Sequence, residues 1–359
     1  MTGGAAGGAG AIARCTQVVR GARALRGAHC VAPALRGVRA LGTARVLLAA
    51  CLVLAAAPAA ANGSSGGAAW GESLVGERFV YEVRRGDSLG GIAARHGTGA
   101  ALIARDNAIG PRQGLKPGQQ LMLETRHIVP QSNGDGITIN VPQRMLFHFE
   151  GGALRTAYPV TAGRPDWQTP LGPFTVVNRQ TDKPWFVPKS IQEEMRQQGK
   201  PVLTRVEPGP DNPLGRHWIG LSMPAIGIHG TNAPTSIYAL RSHGCVRMHP
   251  DDVADLFERV RVGDAGRIVY HPALLAGLPD GRVFVEVHLD AYRRSGKPID
   301  ALRALAAERG IESRVDWLRV AEIVAARDGV AREVTLPEAL PAATPLSTPT
   351  ANPTGALAQ

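Results

Sequence analysis

The sequence is poor in aromatic residues, 5% of 359, and in cysteine, with thiols at Cys15, Cys30, Cys51 and Cys245 alone. It has no Cys-x-x-Cys pair and no His-Glu-x-x-His, so the common zinc spacings are missing. No apolar run approaches the roughly 20 residues of a membrane-spanning helix. No internal repeat is visible, which excludes solenoid and propeller arrays. What remains is an ordinary globular content, 44% apolar, and enough length for two folded domains with tails.

Acidic residues are absent from the first 61 positions, which carry seven arginines, from Arg14 to Arg45. Removing those seven charges from the net +10 leaves +3 for the rest. The basic balance therefore belongs to one end and does not argue for nucleic acid as a partner. Residues Val46 to Ala57 form a short apolar run, preceded by arginines and followed by Ala59-Ala60-Ala61. This order of basic, apolar and small residues reads as a Sec-type signal peptide cut near Ala61, so 1–61 is signal peptide and N-terminal extension. The expected location is the periplasm or cell envelope. Leu48-Ala49-Ala50-Cys51 also resembles a lipobox, but the apolar stretch before it is short. Lipidation and N-terminal anchoring rank below cleavage. Cleavage leaves Cys245 as the one thiol in a compartment that favours disulfides, so it is either buried and inert or reactive.

Residues 62–78 are rich in Gly, Ser and Ala and read as a linker. A small α+β module follows at 79–127. Phe79 to Val83 alternates as a strand, Ser88 suits a helix cap, and Gly97 suits a helix stop. Ala100 to Asn107 fits a second helix, and Leu115 to Leu123 a turn and closing strand. The segments Tyr81-Glu82-Val83-Arg84-Arg85-Gly86-Asp87-Ser88-Leu89, Ile92-Ala93, Asp106-Asn107 and Leu115-Lys116-Pro117-Gly118-Gln119-Gln120-Leu121 resemble a LysM domain. The resemblance implies binding to N-acetylglucosamine polymers such as peptidoglycan. Gly90-Gly91 departs from the pattern and should weaken the first helix.

From 136 to 272 short β-branched and apolar runs alternate with Gly/Pro turns, which predicts a mostly β barrel or sandwich. A helix is expected at Asp251 to Val260 and another at Ser190 to Gly199. Residues 273–335 hold one strand candidate, Arg282 to His288, and two helical segments, near Ile299–Arg309 and Val315–Arg327. The Pro/Thr/Ala-rich end, 336–359, reads as a disordered tail.

The chemistry converges on Ile228-His229-Gly230 and, sixteen residues after His229, on Ser242-His243-Gly244-Cys245-Val246-Arg247. A thiol needs a nearby base to become a nucleophile. His243 and His229 both qualify by spacing. Gly244 leaves backbone amides available to a developing oxyanion, and Arg247 suits a substrate carboxylate. A rival reading takes His229, His243, Cys245 and His249 as zinc ligands, without a recognised spacing to support it. No Gly-x-Ser-x-Gly elbow surrounds Ser242. His148, His217 and His271 read as strand or loop residues without special roles.

The same segments, with Thr169-Pro170-Leu171-Gly172-Pro173-Phe174, resemble the L,D-transpeptidases of the YkuD type. The resemblance implies a YkuD-like β catalytic domain with Cys245 as nucleophile. It implies His229 as proton acceptor and donor, oriented by the carbonyl of Gly230. His243 and Gly244 would shape the oxyanion site, while Ser242 and Arg247 would face substrate. No cofactor and no metal are expected. The implied reaction is acylation of the thiol by the third stem-peptide residue, release of D-alanine, and transfer to an amine. The acceptor would be another stem peptide or a wall-linked lipoprotein. Thiol acylation by carbapenems is a further family expectation. Alternatives are an L,D-carboxypeptidase and a non-catalytic LysM wall-binding protein.

Overall fold

The computed structural model describes residues 67–132 and 134–337. The signal peptide expected within 1–61, with Cys51, and the tail from 338 lie outside the described residues.

The central element is a closed mixed sheet. Its strands run, in spatial order, Ala153–Gly163, Val246–Met248, Gly227–His229, His217–Leu221, Gly172–Thr181, Ala265–Val269, Gly136–Asn140 and Met145–Glu150. The last of these pairs back onto the first, which closes the barrel. Closure removes exposed sheet edges and gives one interior. Ile139, Leu146, Val160, Ile219, Ile228 and Val246 are fully buried and fill it. Helix Pro250–Arg259 starts at a proline, the residue best suited to a first helical position. It turns Val253 and Leu256 into the same core. The mostly β architecture expected for 136–272 is present.

The LysM-like module is a strand–helix–helix–strand unit. Arg78–Glu82 pairs antiparallel with Gln120–Glu124. Ser88 caps helix Leu89–His96 by accepting from Gly91 N, 3.1 Å, and Gly97 ends it with φ of +64°. The two glycines at the start of that helix are thus offset by a side-chain cap. Asn107 joins the second helix, Ala100–Asp106, to the closing strand: its amide donates to Ile103 O and Met122 O, and Met122 N donates back to it.

Two stretches differ from the sequence expectation. Part of the presumed linker is strand: Ala69–Gly71 runs parallel to Ala273–Gly277, and Leu74–Val75 pairs with His127–Ile128. A Cβ on Gly71 would meet Val129 O at 2.5 Å, so glycine there serves close packing, not flexibility. Residues 273–335 are more than one strand and two helices. Ala69–Gly71, Ala273–Gly277, Val283–Val287 and Arg332–Glu333 form a four-stranded sheet. Helices Pro298–Glu308 and Trp317–Ala326 pack on it through Leu302, Ala306 and Val320.

The module, the barrel and this sheet meet at buried polar groups. Glu286 Oε1 lies 2.7 Å from both His127 Nδ1 and His288 Nε2, and Ile128 N donates to Glu286 Oε2 at 2.6 Å. His127 Nε2 faces Gly97 O at 2.6 Å. Both ring nitrogens of His127 therefore meet oxygen partners, one of them the Glu286 carboxylate. Arg95 also bridges to Asp252, and Arg105 to Asp328, tying the module to the remainder.

Candidate active site

Cys245 sits in the turn between strands Leu240–Ser242 and Val246–Met248. Ser242 closes the turn: its hydroxyl donates to Cys245 O at 2.5 Å and accepts from Gly244 N at 3.2 Å. Gly244 has φ of +105°, and a Cβ there would approach Ile226 Cδ1 to 3.2 Å. The φ is one that L side chains rarely adopt, so it favours glycine, and the contact leaves little room beyond it. The Gly244 carbonyl accepts from Thr169 Oγ1, 2.8 Å, so the Thr-Pro-Leu-Gly-Pro-Phe segment supports the turn directly. The half-buried Cys245 thiol is 3.5 Å from Ala225 O.

His229 ends a short strand that runs parallel to Val246–Met248, with Ile228 beside Val246 and His229 beside Arg247. This register brings together residues eighteen positions apart and sets His229 beside the residue two positions after Cys245. The His229 ring is buried and stacks on Trp218, centroids 5.7 Å apart. Trp218 is held in turn by Asn178, which accepts from its Nε1 at 3.1 Å. His229 Nδ1 is 2.7 Å from Gly230 O. A carbonyl accepts only, so Nδ1 carries the proton and Nε2 keeps its lone pair. Burial, and then the Arg247 charge, push the His229 pKa down to about 4. Burial raises the Cys245 thiol, opposed by the Gly227 amide and Arg247. The resting pair at neutral pH is therefore thiol and neutral imidazole.

His243 has a different setting. Its Nε2 lies 2.5 Å from Glu194 Oε2, and Arg164 Nη1 pairs with Glu194 Oε1 at 2.8 Å. Those two partners, His243 first, hold the Glu194 carboxyl below the usual carboxylate range. A carboxylate cannot donate, so His243 Nε2 is protonated and occupied. Trp167 packs edge-on against the His243 ring. Glu194 belongs to helix Lys189–Gln197 in the insertion that follows strand Gly172–Thr181.

A cavity of about 780 Å³ takes in Ser242, His243, Cys245, Arg247 and His229. Gly230 and Gly244 do not line this cavity: Gly230 O holds the His229 ring and Gly244 shapes the turn before Cys245. Its wall carries Arg164, Lys183, Lys200 and Arg247 against the single carboxylate of Glu194. The Nε of Arg247 is buried and has no hydrogen-bond partner. The zinc reading is not supported by this arrangement. His249 instead caps helix Pro250–Arg259 by accepting from Asp251 N. Among the described residues the group with metal-like proximity is His127, Glu286 and His288. Glu194, Arg164 and Trp218 were not legible as site residues, because no motif marks them and their partners are distant in sequence.

A family model described as the L,D-transpeptidase catalytic domain matches residues 134–270, and one for the LysM domain matches residues 81–123. The probable L,D-transpeptidase ErfK/SrfK of Salmonella typhimurium is 32% identical over 61% of this chain and 72% of its own length. Two Escherichia coli proteins are similar: the probable L,D-transpeptidase YcfS, 32% identical over 61% of this chain and 70% of that protein, and the probable L,D-transpeptidase YbiS, 31% identical over 61% and 72%.

Proposed function

The chain belongs to the L,D-transpeptidase family, and we propose that Cys245 is its nucleophile, His229 its general base and peptidoglycan its substrate. The observation that carries the assignment is the neutral, buried His229 with Nδ1 committed to Gly230 O, in one cavity with the single described thiol. The occupied Nε2 of His243 supports His229 over His243 as the base. His243 and Gly244 then shape the oxyanion site, and the Cys245 amide is the natural donor to it.

The chemistry follows in two half-reactions. The Cys245 proton passes to His229 Nε2 as sulfur attacks the carbonyl of the third stem residue. The C–N bond to terminal D-alanine breaks, His229 returns the proton to the leaving amine, and a thioester remains. An acceptor amine attacks that carbonyl and gives its proton to His229. The C–S bond breaks and the thiol is restored. Ping-pong kinetics are expected. Stem peptides are rich in carboxylates, which the cationic wall and the unpaired Arg247 Nε suit. The LysM module (79–127) holds the glycan beside the catalytic unit (136–272), as expected of a cell-envelope enzyme exported by the N-terminal signal. Acceptors are a second stem peptide or a wall-linked lipoprotein.

The test is incubation of residues 62–359 with a defined tetrapeptide muropeptide, with products identified by mass. A 3–3 linked dimer is expected, and Cys245→Ala should yield none while still pelleting with insoluble peptidoglycan. Tripeptide without dimer would make the enzyme a carboxypeptidase. Unchanged turnover by Cys245→Ala would remove the assignment.

A further inference from the structure

Tyr292 lies beyond the segment that resembles the catalytic domain, yet its side chain reaches beneath the nucleophile turn. The ring is buried in the barrel core, stacked on Tyr270 with centroids 5.1 Å apart. Its hydroxyl donates to Gly163 O at 2.6 Å and accepts from Thr169 N at 3.1 Å. Thr169 Oγ1 in turn accepts from Gly163 N at 2.8 Å and donates to Gly244 O at 2.8 Å. Tyr292, Gly163 and Thr169 thus form a closed circuit, from which Thr169 Oγ1 reaches out to Gly244 O, and each buried hydroxyl both donates and accepts. A Cβ on Gly163 would sit 2.2 Å from Trp167 O, so the circuit closes only around a glycine.

The circuit fixes the Gly244–Cys245 peptide. That unit is planar and trans, so its C=O and N–H point in opposite directions. Holding Gly244 O on Thr169 therefore aims the Cys245 N–H away from Thr169. Resting on the assignment of Cys245 as nucleophile, we infer that Tyr292 is a positioning residue that orients the oxyanion-binding amide through Thr169. The segment carrying it is itself anchored: Tyr270 Oη accepts from Tyr292 N and donates to Asp290, and Arg294 binds Gln168, the neighbour of Thr169. The catalytic unit accordingly extends to about residue 295, and the C-terminal region is part of its active-site scaffold.

Tyr292→Phe keeps the stacked ring and removes the hydroxyl. Single-turnover acylation of Cys245 by a tetrapeptide stem should slow by about 10- to 100-fold, with KM changed less than about twofold, as expected for a misdirected oxyanion donor. Thr169→Val should give the same split, and the double variant should be no slower than the worse single one. Tyr238→Phe removes another buried hydroxyl bond, to Gly329 O, which shares no group with this circuit. It should lower the melting temperature comparably and leave acylation unchanged. Acylation by Tyr292→Phe within twofold of wild type, or equal slowing in Tyr238→Phe, would overturn the inference. Failure of the wild-type chain to acylate would instead remove the reading on which it rests.

Discussion

The acid limb of acylation should lie far below the usual histidine range. Burial and Arg247 bring His229 down to about 4 from 6.5. At pH 5 an imidazole with that value is roughly nine-tenths neutral, whereas an unperturbed one is roughly 3% neutral. The available base differs by about thirtyfold between the two cases. The assay is single-turnover acylation of Cys245 by a stem peptide, read by intact mass from pH 4 to 8, with circular dichroism at each pH to confirm folding. The rate should hold nearly level from pH 7 to 5 and fall by half near 4. Arg247→Gln removes the second cause and should move the limb upward, towards 6.5. A half-loss near pH 6.5 in the folded wild type would refute the argument that a buried neutral imidazole is the base.

Three further outcomes follow from titratable groups the chemistry does not use. Burial opposes the Glu286 charge, but His127 and His288 hold its carboxyl down to about 2, so Glu286→Gln breaks a fully buried pair and should cost about 3–5 kcal/mol in denaturant unfolding. His288, pushed down to about 4 by burial, stays neutral in the fold while the unfolded chain takes up protons below about 6.5. Stability should therefore fall as pH drops from 6.5 towards 4, by about 1.4 kcal/mol per unit for each such histidine, and further as Glu286 is protonated. Glu194→Gln removes the charge that joins helix Lys189–Gln197 to His243 and Arg164. It should raise KM for muropeptides several-fold with little change in melting temperature, because these groups are partly exposed.

The Ser242–Cys245 turn was legible in sequence because its constraints are local. Gly244 is favoured by its φ, Ser242 closes the turn over three residues, and Thr169 belongs to a compact motif. The LysM-like caps at Ser88 and Gly97 were legible for the same reason. Strands Gly227–His229 and Val246–Met248 are only three residues long, too short for alternation to register. Their parallel pairing, which sets His229 beside Arg247, has no sequence signature. Ala69–Gly71 resembled a linker because small residues serve tight packing as well as flexibility. Ala273–Gly277 lacks alternation because four of its five residues are buried, on both faces of the strand. Glu194, Glu286 and Tyr292 act on partners 49, 159 and 123 residues away, and periodicity carries no information at that range.

The central claim is that Cys245 carries the stem peptide as a thioester. Its most direct test is intact-mass spectrometry of the protein quenched in acid milliseconds to seconds after mixing with a tetrapeptide muropeptide. The account predicts an adduct equal to the muropeptide less D-alanine, mapped to the peptide containing Cys245, released by hydroxylamine and absent in Cys245→Ala. Turnover without any adduct on wild type, or the same adduct on Cys245→Ala, would contradict it.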